Sequence, residues 1–519
     1  MKKDCLQLNL SASWTIESGV AVIGYAFLGE ELLSAASLAN YFSQVQTIGQ
    51  FTTLLKKLNG IFSVIIANEH FRAAAIDATR IYPVFYSYQK GNWTVTDNPY
   101  SLITDESSIS PDALHEMRAS YAPLQGKTLI DGILQVKPCT AVEFQTTGTV
   151  KSDTYFHYNI GAAEVQRQEK QQLLSVLENS VKRLICRASG KQIVVPMSAG
   201  YDSRIILCLL NEQGYKNVIT YTVGSNDSAS EVSVASKVAR ALGYAHFQID
   251  LTKVGDELDF SDFNDYVMHL GALTNFSWCA EYASVKWLQA KGLLEKDAIF
   301  VPGHAGDFFA GSHLSKSLIG EKSSISALVY GILFNNFEAN RGLKTSSIRK
   351  EFSAMKQFGS YPPSLYNAFV FTNRLTHFIA NSARAFTFFG YEVLMPLWDM
   401  EFLCLMRALP MEQLHHCALY NESVEQVFER RGVNYKKHQL LSSAYRKQYI
   451  KNIISAVLPS AFLQKAKRPT QDILGTWHLA TLLCKDFSLC ASKAPRPYFI
   501  NSALTEWYID TINKLINNK

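Results

Sequence analysis

Between residues 193 and 251 three short apolar runs alternate with two segments of helical period, and that rhythm restricts the fold more than any other feature of the chain. Residues 193–197, 218–223 and 246–251 read as strands; 203–213 and 230–242 read as helices, stopped by Gly214 and Gly243. Val232, Ala235, Val238, Ala239 and Leu242 form the apolar stripe of the second helix. Strands joined through helices at this spacing predict parallel βαβ units. A further strand is expected at 298–301.

Ligands of open parallel sheets sit outside the carboxyl ends of the strands, and two polar loops fall there. Ser198-Ala199-Gly200-Tyr201-Asp202-Ser203 follows the 193–197 run, and Pro302-Gly303-His304-Ala305-Gly306-Asp307 follows the 298–301 run. The Ser198 and Ser203 hydroxyls, the backbone N–H groups around Gly200 and the positive end of the following helix suit a phosphate chain. Asp202 and Asp307 add carboxylates on the same edge, which suit a Mg²⁺ ion carried by phosphate oxygens. Gly224, after the 218–223 strand, would let the backbone approach a nucleoside closely. Each loop alone has a plainer account, because Ser, Gly and Asp are common turn and cap residues. Their joint placement after two strands favours a nucleoside-triphosphate enzyme. The chain has neither a Walker-type GxxxxGKS/T loop nor a GxGxxG opening a helix.

At 519 residues the chain exceeds one ordinary core, and two domains are expected. Residues 1–160 read as an α+β sandwich, with β-rich runs at 61–66, 73–77, 84–88 and 93–96 and a hairpin through Thr146-Thr147-Gly148. Residues 165–519 carry the parallel α/β sheet and, from about 315 onward, mostly helical segments broken at Pro362-Pro363 and near Pro495 and Pro497. The net charge of +5, from 50 basic and 45 acidic residues, is too even to imply nucleic acid. Glu30 and Glu31 close the uncharged 19–29 stretch well short of a bilayer span, and no signal-peptide core follows Met1. Nine cysteines without a CxxC pair read as reduced thiols in a cytoplasmic protein.

These residues carry a resemblance to the asparagine synthase family. The 198–203 loop resembles its SGGxDS pyrophosphatase (PP-loop) segment, and Thr220 to Gly224 resembles its TFSVG segment. Gly303 to Gly311 resembles GDGADELFGG, and Gly390-Tyr391-Glu392-Val393-Leu394-Met395-Pro396-Leu397-Trp398-Asp399 resembles GVEARVPFLD. The first domain is similar to the class II glutamine amidotransferase domain of those enzymes. Leu58-Asn59-Gly60-Ile61-Phe62 resembles LNGxFAF, the stretch at Asp77 to Tyr86 resembles RDxxGxxPLYY, and Thr128 to Pro138 resembles TxFxGIxxLxPG, with Cys139 at the final glycine.

The resemblance implies an ATP- and Mg²⁺-dependent carbon–nitrogen ligase. A carboxylate attacks the α-phosphorus, pyrophosphate leaves, and an amine takes the acyl group. By this likeness Ser198, Ala199, Gly200, Asp202, Ser203, Gly224 and Gly303 are expected at the nucleotide, with Asp202 and Asp307 on the metal. Lys467 is the candidate for the lysine that steadies adenylation, with Lys465 beside it; a solvated basic face is the competing account. Glu392 matches a family glutamate that would orient the amine or act as base, and a structural ion pair accounts for it equally well. Expected partners are small-molecule carboxylates and amines, with no nucleic acid and no membrane insertion; a homodimer fits the sequence too.

Three departures qualify the likeness. Amidotransferase domains of this type begin with a catalytic cysteine, whereas this sequence reads Met1-Lys2-Lys3-Asp4-Cys5, so glutaminase activity is not expected. Phe308 stands where the family has the glutamate of its DE pair. Ala199 replaces a loop glycine and Arg204 follows the loop, within expected reach of a phosphate or carboxylate. His304 and His313 lack metal-ligand spacing and read as site-shaping or structural. The loop variants look similar to asparagine synthase-like proteins of bacterial surface-polysaccharide pathways, which implies amidation of a uronic acid or attachment of an amino acid to a sugar. Intramolecular closure, as in β-lactam synthetases or lasso-peptide cyclases, is the alternative enzyme reading. A degenerate binding scaffold is the non-enzymatic one.

Overall fold

In the N-terminal part both faces of the strands are apolar. Ala21, Ile65, Ala74 and Ile76 join one buried cluster with Val84, Tyr86, Trp93 and Val95, whereas Val20, Val22, Val64, Ile66, Ala73 and Ala75 belong to the main core. Alternate residues of a strand point to opposite faces, so this pattern demands a sheet covered on both sides. The computed structural model has that arrangement, and it describes residues 6–69, 71–161, 165–224, 231–255, 258–276, 279–314, 353, 361–435, 474–495 and 499–518.

Eleven strands lie within residues 6–154: β1 Leu6–Asn9, β2 Thr15–Glu17, β3 Val20–Leu28, β4 Glu31–Leu33, β5 Leu58–Ala67, β6 Arg72–Ile76, β7 Phe85–Gln89, β8 Asn92–Thr96, β9 Leu134–Gln135, β10 Thr140–Phe144 and β11 Val150–Thr154. One sheet has the order β11-β10-β6-β5-β3-β2, with β4 on β3, and the other β1-β8-β7-β9. Their facing surfaces share the smaller cluster, which makes the expected sandwich. Helices α1 (Ala35–Phe42) and α2 (Ile48–Leu55) are capped by Ser34 and Thr47. They turn Phe42 and Phe51 inward, edge to face at 5.2 Å. With α3 (Pro111–Ser120) they are the α-helices described in this part of the chain.

The second region follows α4 (Lys170–Ala188). Strands β12 Ile193–Pro196, β13 Val218–Val223, β14 Ala245–Ile249, β15 Ile299–Phe300 and β16 Glu392–Val393 form an all-parallel sheet in the order β14-β13-β12-β15-β16. Helices α5 (Tyr201–Glu212) and α6 (Glu231–Ala241) are the crossovers read from the sequence. The fifth strand, β16, was not anticipated. It consists of two residues, of which Glu392 carries no apolar signal.

The two regions meet through buried polar contacts. Arg80 is fully buried and donates to Gln135 Oε1 at 2.8 Å, Asn381 Oδ1 at 3.1 Å and Thr274 Oγ1 at 3.3 Å. Among the described residues no carboxylate forms a salt bridge with it, and burial, with Arg384 adding repulsion, depresses its pKa. Arg118 and Glu506 form a two-pronged pair at 2.9 and 2.6 Å. Among the described residues no helix is long and apolar enough to cross a membrane, and the eight cysteines described are free.

Candidate active site

At the carboxyl end of β12 the chain turns out of the sheet and starts α5 within a few residues. Gly200 caps that helix at φ −67° and ψ 171°. The Ser198 hydroxyl accepts the Gly200 N–H at 3.1 Å, and the Ser203 hydroxyl accepts the Ser198 N–H at 3.3 Å. The loop is thereby folded over the first turn of α5, where the helix dipole favours an anion.

The second loop is pressed against the first. A Cβ on Gly303 would stand 2.5 Å from the Ser203 nitrogen, so only glycine allows this approach. Behind it, Ala305 takes the left-handed conformation at φ 89° and starts the short helix Gly306–Phe309. That turn brings the Asp307 N–H to Asp202 Oδ2 at 3.0 Å. Asp202 Oδ1 accepts the Tyr420 hydroxyl at 2.8 Å. Burial, with the adjacent Asp202 adding to it, pushes the Tyr420 phenol well up, so Tyr420 stays a neutral donor. The two expected metal carboxylates therefore belong to adjoining residues of one constellation. Tyr420, in the helix Ala418–Arg430, was missed because its surroundings in sequence form no motif.

The Asp202 and Asp307 pair fits a hard divalent cation. Both offer carboxylate oxygens, and Mg²⁺ needs only one or two from a protein when phosphates supply others. Among the described residues no cluster of three or more His, Cys, Asp or Glu forms a self-contained metal cage.

Other expected residues divide. Gly224 lies at the end of β13, its N–H donating to Ile249 O at 2.9 Å and its carbonyl accepting Gln248 Nε2 at 2.9 Å. Ala199 gives its carbonyl to Arg204 Nη2 at 2.8 Å. Arg204 does not reach toward a phosphate. It is buried, donates also to Tyr435 O at 2.9 Å, and lies over the Tyr201 and Phe428 rings at 5.3 and 4.9 Å. Desolvation outweighs any ion pairing here and lowers its pKa, which marks a structural strap behind the loop.

Glu392 is distant from the loop along the sheet. It sits level with Ile299, which is itself level with Ile193 at the start of β12, and pairs with Arg187 at 2.7 Å. Arg187 in turn lies over the Tyr25 ring at 4.8 Å, on the N-terminal region. Of the two accounts of Glu392, the structural ion pair is the one this geometry carries. Phe308 is buried and stacks on His313 at 4.2 Å with the rings 9° from parallel, filling with an aromatic pair the place of the family's glutamate. Lys465 and Lys467 lie outside the described residues.

Comparison with known proteins assigns the family. The asparagine synthase family model matches residues 172–508. No curated protein matches the chain. Among solved structures, the U34-tRNA thiolase NcsA from Methanococcus maripaludis with its 4Fe–4S cluster is similar at 15% identity and a TM-score of 0.20, over 38% of this chain and 78% of that one. The glutamine phosphoribosylpyrophosphate amidotransferase from B. subtilis, complexed with ADP and GMP, is similar at 10% identity and a TM-score of 0.18, over 55% of this chain and 61% of that one. The family model spans well over half of the sequence, and the chain belongs to the asparagine synthase family.

Proposed function

We propose that the chain is an ATP- and Mg²⁺-dependent ligase that activates a carboxylate and joins it to an amine, without hydrolysing glutamine itself. The observation that carries the ligase reading is the joint held by Gly303 and Asp202, which sets Asp307 against the phosphate-type loop at the head of α5. Bound there, Mg²⁺ would supply charge neutralisation for departing pyrophosphate. The residues of the chain do the placing. Ser198 and Ser203 tie the loop, Tyr420 holds the Asp202 carboxylate, and the α5 N-terminus faces the anion.

Loss of glutaminase activity is supported by the state of Asn59 and Gly60, which match the amidotransferase oxyanion segment. The Asn59 amide oxygen accepts the Met400 N–H at 3.0 Å, and its side chain also hydrogen-bonds the Asp399 carboxylate. Both ends of the amide are thus committed to the synthetase side. Asp399 is locked in turn by Arg183 at 2.8 and 2.9 Å. The cavity lined by Asn59, Gly60, Arg183, Trp398 and Asp399 is small, about 30 Å³. Gly60 is needed for the sheet alone, since a Cβ there would meet Tyr25 O at 2.3 Å.

The test is ³¹P NMR of ATP and Mg²⁺ incubated with the protein and pools of uronic acids, amino acids and amino sugars, beside a separate glutaminase assay. AMP with pyrophosphate is expected, with no glutamate released from glutamine. ADP with phosphate would overturn the ligase reading, and glutamine hydrolysis would overturn the relic reading. Surface-polysaccharide biosynthesis in the cytoplasm is the setting proposed for the substrates, on the likeness of the loop variants.

A further inference from the structure

The consecutive helical segments Phe371–Ile379, Ala380–Ser382 and Arg384–Phe388 turn a polar face into the protein, where a buried helix ordinarily turns an apolar one. His377, Asn381 and Arg384 recur at the four- and three-residue spacing of one face, and all three are buried. The first segment, Phe371–Ile379, is wound as a π-helix, a rare form found frequently at functional sites. Arg80 meets this face from the N-terminal region.

Asn381 fixes the arrangement. Its amide nitrogen donates to Leu270 O at 3.1 Å and to Asn275 O at 3.4 Å, which leaves its oxygen for other donors. That oxygen accepts Arg80 Nη1 and Arg384 Nη1, each at 3.1 Å. Two guanidiniums thus converge on one neutral atom, with Arg80 0% and Arg384 4% exposed. The further acceptors of Arg80 are Gln135 Oε1 and Thr274 Oγ1, and those of Arg384 are Leu270 O at 3.1 Å and His269 O at 2.7 Å. All of them are neutral. A guanidinium has five N–H groups, so each arginine keeps N–H groups that these acceptors do not claim, and Arg384 Nε is buried with no partner at all. Asp97, whose charge reaches Arg384, is already held by Ser11 Oγ and by Trp14 Nε1 at 3.0 Å. Burial lowers both arginines, Arg384 to about 10, and the Arg384 charge lowers Arg80 further. His377 Nε2 is a second buried atom without a partner on this face. Burial and the Arg80 charge keep that imidazole neutral, so it is not counted among the donors.

We infer that this junction holds a small monovalent anion, of the chemistry of chloride, between Arg80 and Arg384. The unclaimed N–H groups of the two guanidiniums are its donors. An uncompensated buried charge is costly, and two charged donors with only neutral acceptors call for an anion and not for another dipole. A one-atom anion accepts from both forks without an oriented set of oxygens, and its charge offsets their repulsion. One arginine comes from each region, so the anion joins the two, which gives the N-terminal region a role that needs no glutaminase chemistry. The site shares no residue with the joint of Gly303 and Asp202, and the inference stands without the ligase reading.

The test uses the full-length protein in sodium gluconate, into which sodium chloride or sodium bromide is titrated at constant ionic strength. Thermal melting is followed for wild type, Arg80→Gln and Arg384→Gln. Wild-type crystals soaked in sodium bromide are measured at the bromine absorption edge. Chloride and bromide should raise the wild-type Tm saturably, by about 1–2 °C at tenfold the Kd. Either variant should lose that rise, and an anomalous peak should stand between the two guanidiniums. Equal melting in gluconate and chloride would overturn the inference. So would a bromide-soaked crystal without the peak, which would leave only water there, or an undiminished rise in either variant, which would put the anion elsewhere. The anomalous map of wild type decides the matter even if neither variant folds.

Discussion

Replacing Gly303 with alanine asks whether the second loop sets the position of the first. The new Cβ would lie 2.5 Å from the Ser203 nitrogen, 2.8 Å from its Cα and 2.9 Å from its Cβ. Ordinary contact begins at 3.4 Å, so the Ser203 backbone must retreat by 3.4 − 2.5 = 0.9 Å. Side-chain rotation cannot relieve a clash with backbone, and α5 cannot slide freely because residues 205–210 are fully buried. Overpacking of this kind costs about 1–3 kcal/mol. A displacement near 1 Å at a reacting centre costs about 100-fold in rate. Gly303→Ala should therefore lower Tm, weaken ATP binding measured by calorimetry by at least about tenfold, and slow pyrophosphate exchange by about 100-fold. Gly200→Ala is the matched control. Its Cβ meets only the Ser198 hydroxyl at 3.0 Å, and its φ of −67° suits alanine, so its losses should be much smaller. A Gly303→Ala protein that melts and binds ATP like wild type would refute the reasoning.

Four further outcomes are expected. Ala305→Gly relieves a left-handed alanine at φ 89° and should stabilise the protein by about 0.5–1 kcal/mol in denaturant unfolding. Tyr420→Phe strips a donor from the Asp202 carboxylate and should cost about 1–3 kcal/mol by the same assay. Glu392→Gln should lower Tm through the lost Arg187 pair while leaving ATP binding unchanged; intact stability with lost exchange would restore a catalytic role. Burial holds His157, His246, His304 and His313 down to about 4, and His269 to about 3. Their folded values lie below the ordinary 6.5, so the stability they contribute is complete above that pH and lost as pH falls toward 4. Asp77 and Glu281, raised to about 7, oppose this as pH rises through the same window. His377 is depressed as well, and Glu116 and Asp399 are raised, so six imidazoles stand against four carboxyls; unfolding free energy should fall on acidification from pH 6.5, and a flat profile would contradict the burial argument.

The parallel core was legible because its strands are apolar runs and its helices stop at glycines. The reading placed strand and helix ends within a residue or two. β16 escaped because a two-residue strand leaves no periodicity to read. Arg204 was misjudged because its charge suggested a ligand, whereas its two terminal nitrogens are held by the backbone carbonyls of Val433, Tyr435 and Ala199 and its plane lies over two aromatic rings. Glu281 was illegible for a different reason. It stands in a helix that carries no motif, and only the fold brings it to a cavity shared with His304. Left-handed turns without glycine are instructive as well. Arg80, Cys139 and Ala305 all keep positive φ, at 60°, 52° and 89°. Each holds a left-handed turn without glycine, and Arg80 reaches the second region through Asn381 and Thr274 while Gln135 holds it within the first.

The central claim is that the loop at the head of α5 activates a carboxylate with ATP. Exchange of radiolabelled pyrophosphate into ATP with Mg²⁺ tests it most directly, run across pools of uronic acids, amino acids and nucleotide sugars with Asp202→Ala alongside. Exchange that depends on one carboxylate and disappears in the variant is the predicted result. No exchange with any pool, together with no ATP binding by calorimetry, would contradict the claim and leave a binding scaffold.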